Sequence, residues 1–210
     1  MIRLIALGAL FGTAWASGMR AWMQQFAGPE SHFTWFTFTA LIVPAALTGA
    51  LFGLAEHRRR QGRPSRWFLL AVVPLVLGPM TMPNAIPNLI HHGQGGGDLG
   101  MVGFSLAGAY ALAGSRRWLR IVLGIPAAGL AVLFMLGGWR PGMAVTTPYG
   151  LWNAVLLDSL YLCFAVAATI PLLPAVAGRQ PRTAAMTSST GTDAMVVTKM
   201  ASRARTSPRP

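Results

Sequence analysis

Apolar residues fall into six blocks along the first 176 positions, separated by short polar or basic loops. The blocks run from about Leu4 to Met23, Phe33 to Ala55, Trp67 to Met82, Leu99 to Gly114, Ile121 to Gly138, and Leu151 to Ile170. Charge-poor apolar runs of about 18 residues or more read as membrane helices. Lipid offers no hydrogen bonds, so each segment must satisfy its own backbone and the fold is expected to be all-α. The alternating segments of about ten residues that a membrane barrel needs are absent.

The third block is the irregular one. It opens apolar as WFLLAVVPLVLGPM and is broken at Pro79, Pro83 and Pro87. It then turns polar at Asn84, Asn88, His91 and His92 and ends in Gly95, Gly96 and Gly97. Its clean part covers about 24 Å at 1.5 Å per residue, short of a hydrocarbon layer of about 30 Å. The fourth block is also short and rich in Gly and Ala. A short, Pro- or Gly-broken pair of this kind is a pointer to a binding site in transporter-like folds; the alternative is a re-entrant or partly exposed linker whose prolines shape a turn. The expectation is a polytopic bundle of about six transmembrane helices, the third broken by proline, over residues 1–176.

Within the helices, Gly8 and Gly12 form one small-xxx-small pair and Gly49 and Gly53 another, each fit for close helix approach. Pro44 predicts a kink in the second helix. The first block, with Arg3 before it and Ala14-Trp15-Ala16 inside it, imitates a cleavable signal peptide. The apolar run continues past the cleavage-like site, which favours a retained helix. From residue 177 the chain is Ser, Thr, Pro, Arg and Ala with few large apolar residues, and is expected to be a disordered basic tail.

Composition sharpens the class. Of 210 residues, 53% are apolar and 10% charged, against about 25% charged in an average soluble domain. The net charge of +12 is no nucleic-acid signal, because the basic residues sit in loops where they orient membrane proteins. Six crossings with the N-terminus inside place Arg3, the Arg58–Arg66 and Arg116–Arg120 loops and the tail in the cytoplasm. That is 15 of the 17 Lys and Arg residues, with only Arg20 and Arg140 left toward the outside. The expected location is the cytoplasmic membrane, multi-pass, both termini cytoplasmic. The single Cys163 has no intrachain partner for a disulfide.

Candidate chemistry gathers at a few positions. Asp158 is the eighth residue of the sixth block, so it lies about 12 Å from the outer boundary. An intramembrane carboxylate is expensive unless paired, protonated or hydrated, and marks a functional site by default. Ala154, Asp158, Tyr161, Ala165 and Ala168 recur at helical spacing and form one small, polar stripe expected to face the bundle. Arg20, near the end of the first helix, is either a snorkelling cation or a buried counter-charge to Asp158. Asn84 and Asn88 are candidate hydrogen-bonding contacts, and Tyr161 either belongs to the site or bonds Asp158. A structural lock, Asp158 to Arg20 or Tyr161, is the plain alternative.

Glu30, His32, His91, His92, Asp98 and Arg140 fall on the same outer side. Adjacent histidines lack the spacing of two ligands on one helical face, so no metal site is assigned. No nucleophile triad, phosphate loop, haem-attachment or zincin motif stands out, and no cofactor is implied. No known family is recognised.

Three functions remain. The first is a small transport or ligand-binding membrane component with an outward-facing polar pocket, taking an ion or small molecule. Asp158 would be its binding group, with Arg20, Asn84, Asn88 and Tyr161 around it. The second is a membrane-embedded enzyme acting on a lipid-type substrate through Glu30, His32, His91 or His92. The third is a structural or accessory subunit without catalysis. Besides the bilayer, the expected partner is a second copy or another membrane subunit, which the glycine pairs would suit.

Overall fold

A computed structural model of the chain describes residues 1–27, 33–81, 87, 96–136 and 145–175. Among these residues all regular structure is helical and no strand occurs. Helix α1 is Ile2–Ala27. A single turn, Trp35–Thr37, leads into a π-helical segment, Phe38–Ile42, and then into α2, Val43–Arg60. A 3-10 segment, Arg66–Val72, feeds α3, Val73–Met80. Helices α4 (Gly96–Ala113), α5 (Arg117–Leu136) and α6 (Pro148–Ala168) follow.

Four segments are long and apolar enough to cross a membrane: Ile2–Gln25, Trp35–Arg60, Arg117–Leu136 and Pro148–Leu172. The other two apolar helical stretches, Arg66–Met80 and Leu99–Ala113, are shorter. Leu99–Ala113 reaches about 22 Å at 1.5 Å per residue, and Arg66–Met80, half of it 3-10 at about 2.0 Å per residue, reaches about 26 Å. Among the described residues the count is therefore four full-length candidates and two short apolar segments, against the six expected. The outward faces suit lipid: on α5, Ile121, Ile125, Val132 and Leu136 are all exposed. A water-soluble chain rarely exposes so continuous an apolar surface.

Helices α1 and α2 are antiparallel and in direct backbone contact. A β-carbon on Gly8 would overlap the carbonyl oxygen of Gly49, and one on Gly49 would overlap that of Gly8. One turn along, a β-carbon on Gly12 would strike the Ala45 carbonyl, and one on Gly53 the Leu4 carbonyl. The two small-residue pairs thus meet each other within one chain. Both pairs are occupied by this intrachain contact, which removes them as an argument for self-association.

Pro44 acts differently from a simple kink. It has no N–H for the Ala40 carbonyl, and its ring crowds that position. The backbone widens into the π segment just before it, and the ladder continues with Val43 N–H donating to the Phe38 carbonyl. The Ala40 carbonyl packs against Gly78 of α3, where a β-carbon would overlap it. Thr48 ties α2 to the 3-10 segment, its buried hydroxyl donating to the Ala71 carbonyl at 2.8 Å.

Helix α2 ends in a Schellman turn. Gly62 takes φ +77°, and the Gly62 and Arg63 N–H groups donate to the carbonyls of Arg59 and Arg58 at 3.1 and 3.0 Å. This stops the helix inside the basic loop. Glu56, one turn earlier, holds Arg59 at 2.7 Å and Arg60 at 2.6 Å.

Helix α6 joins the α1–α2 pair through aromatic packing. Trp15 stacks tilted on Phe164 at 4.8 Å between centroids, and Phe52 lies 6.2 Å from the same ring. The Trp15 indole N–H donates to the Leu160 carbonyl at 2.8 Å, which locks α1 to α6.

Candidate functional site

Helix α6 begins three residues before the apolar block suggests, and the local sequence explains why. Thr147 is the N-cap, its hydroxyl accepting from the Gly150 N–H at 3.0 Å, and Pro148 occupies the first turn. A Thr-Pro start satisfies an orphan donor and presets the backbone angle. The earlier start makes Asp158 the eleventh of 21 residues. It sits about 15 Å from the helix start, half the depth of a hydrocarbon layer of about 30 Å.

Every member of the small, polar stripe is buried: Ala154, Asp158, Tyr161, Ala165 and Ala168 are each at most 5% exposed. The helix turns this face inward and leaves Leu151, Val155, Leu162 and Val166 exposed.

Asp158 is 4% exposed, and its Oδ1 has no hydrogen-bond partner. Three further buried oxygens share this condition, Gln25 Oε1 on α1, Ser105 Oγ on α4 and Asn153 Oδ1 on α6. Asn153 gives its amide N–H to the Tyr149 carbonyl at 2.9 Å. Buried polar atoms are normally satisfied, so four unpartnered oxygens among the described residues call for an explanation. Sequence reasoning missed Gln25, Ser105 and Asn153. Asn153 was visible as a polar residue inside an apolar run; Ser105 resembles an ordinary small packing residue.

Arg20 faces inward and is 7% exposed. Gly18 packs on Leu160, so Arg20, two residues on, comes level with Asp158 on the antiparallel α6. The Arg20–Asp158 ion pair, one of the alternatives the sequence left open, is not formed between these two side chains. The guanidinium carbon lies 4.9 Å from the centre of the Phe33 ring, and the ion pairs among the described residues are those of Glu56.

Tyr161 reaches from α6 to both neighbouring helices. Its hydroxyl lies 3.0 Å from the Ala127 carbonyl on α5 and 3.2 Å from the Phe104 carbonyl on α4. It staples α4, α5 and α6 together, with Phe134 edge-on at 6.1 Å. Gly108 makes room for it: a β-carbon there would sit 3.4 Å from the hydroxyl. Tyr161→Phe is expected to cost about 1 kcal/mol, the usual worth of an interhelical bond in lipid. Thermal unfolding in detergent checks this, and a change below a tenth of that size removes the staple.

Asn84 and Asn88 lie outside the described residues, as do Glu30, His32, His91, His92 and Arg140, and the Asp98 side chain. Among the described residues no three of His, Cys, Asp and Glu converge as metal ligands. No family model matches the sequence, and no curated protein or solved structure resembles it significantly. A carboxyl at the centre of an apolar bundle, unpaired and at the level of a buried arginine, can bind a proton, a small cation or a cationic group.

Proposed function

We propose that the chain is a small transport or ligand-binding protein of the cytoplasmic membrane, with Asp158 as its proton- or cation-binding group. The observation that carries this is the unpartnered Oδ1 of a buried carboxyl at mid-helix. Several kcal/mol stand against keeping an ionised carboxylate there alone, and binding a proton or a cation removes that cost. Arg20 sets the local charge, Asn84 and Asn88 supply hydrogen bonds from the third segment, and Tyr161 holds the three helices that frame the site. A polar pocket open to the outer side gives the ligand access. The proposed topology is six crossings with both termini cytoplasmic, which keeps 15 of 17 basic residues on one side.

The test is thermal unfolding of the purified full chain, wild type beside Asp158→Asn, across pH and a panel of monovalent cations, amines and amino acids. The expected result is a ligand or pH step that raises the wild-type transition by several degrees and leaves the variant unmoved. If no condition moves the wild type, Asp158 is a packing residue and the accessory-subunit function takes the place of this one.

A further inference from the structure

A groove of about 500 Å³ lies between α1, α2 and α6. Its walls include Leu4 and Phe11 of α1, Gly53 of α2, and Cys163 and Val166 of α6. Gly8, Gly49 and Gly53, where α1 and α2 touch backbone to backbone, all line it. The volume falls within the range of about 300–1,000 Å³ of ordinary ligand sites.

Its two ends differ. The lining is apolar along its length except for Glu56, which lies at the end where α2 passes into the basic loop. Glu56 is already neutralised by Arg59 and Arg60. Arg60 is 59% exposed and gives Nε–H to Glu56, which leaves four of the five N–H donors that a guanidinium carries. Leu4 meets Gly53 in the antiparallel pair, so Arg3 brings a further cation to this end. Along α6 and the 3-10 turn that follows it, Ile170–Leu172, the groove runs from Leu162 to Ile170, about 12 Å at 1.5 Å per residue. That is close to one leaflet's half of a hydrocarbon layer of about 30 Å.

We propose that this groove holds an acyl chain of an anionic phospholipid, with the headgroup phosphate against Arg3 and Arg60. An apolar slot one leaflet deep, open sideways to the bilayer and cationic at its mouth, complements that molecule in shape and charge. The proposal rests on the chain crossing a membrane and is independent of Asp158.

Cys163 provides the probe, because it is the single cysteine, exposed, and lines the groove. The full-length protein is purified in detergent and the alkylation rate of Cys163 by N-ethylmaleimide is followed. Phosphatidylglycerol or phosphatidylcholine of identical acyl chains is titrated in. Phosphatidylglycerol is expected to slow alkylation at least fivefold at concentrations where phosphatidylcholine has no effect. The double variant Arg3→Gln/Arg60→Gln is expected to need at least tenfold more phosphatidylglycerol. Val166→Trp, at an exposed wall position, is expected to abolish the lipid dependence with the fold intact by circular dichroism.

Equal protection by both lipids overturns the headgroup contact. Protection by neither, or protection that follows protein concentration instead of lipid, overturns the proposal and in the second case assigns the groove to a second copy. None of these outcomes bears on the ligand panel at Asp158, so the two tests fail separately.

Discussion

Gly49→Leu is expected to unfold the α1–α2 pair. The new side chain must enter space held by the Gly8 carbonyl, and backbone in a helix cannot move aside as a flexible side chain can. Overpacking a close-packed interior costs about 1–3 kcal/mol when side chains can adjust. Here the obstacle is main chain on both sides, so the expected loss is about 3 kcal/mol or more. Gly49→Ala should fall between leucine and wild type, since one methyl already overlaps the same oxygen. Gly103→Ala and Gly129→Ala are the controls. Nothing lies within 4 Å of a β-carbon at either position, and both should leave stability unchanged or slightly raised. The measurement is the thermal transition in detergent, with size-exclusion chromatography to report aggregation. Equal behaviour of Gly49 and Gly103 variants would show that the close crossing does not hold the bundle together.

Asp158→Asn is expected to make the ligand-free protein more stable at neutral pH. The substitution keeps shape and volume but removes a charge from a site that is 4% exposed and has an unpartnered oxygen. Leaving a buried polar group unsatisfied costs about 1–3 kcal/mol, more when the group is charged. A gain on the order of 1–3 kcal/mol is therefore the expected result. Asp158→Ala is a weaker test, because the deleted atoms leave a cavity with its own cost. A binding carboxyl held at the expense of stability is the usual trade at functional sites. A loss of 1 kcal/mol or more in the asparagine variant would mean that the carboxylate has a structural partner, and the binding role would fall.

Much of this molecule was legible in its sequence. Lipid is a simple solvent: it demands helices, and it sorts residues by polarity into faces. The spacing of Ala154, Asp158, Tyr161, Ala165 and Ala168 was therefore enough to orient α6, and all five are buried. The glycine pairs declared themselves by the same logic, since a bare backbone patch has value only where another helix presses on it. Pro44 announced a local departure from α-helix, but not its form. Whether a proline kinks a helix or the chain absorbs it in a π turn depends on what packs against the freed carbonyl. Here that is Gly78, 38 positions from Ala40 along the chain.

The sequence by itself determined the class, the inward faces and the residues whose presence in lipid needs explaining. Only the tertiary structure decided which of those residues meet. Tyr161 bonds carbonyls 57 and 34 positions away, and Trp15 one 145 positions away. Backbone carbonyls carry no residue identity, so no sequence pattern names them as acceptors. Arg20 and Asp158 are brought level by α1 and α6, yet the guanidinium lies over Phe33. Attraction between opposite charges sets no geometry on its own; the direction of a side chain follows from the packing around it, and that packing exists only once the helices have come together.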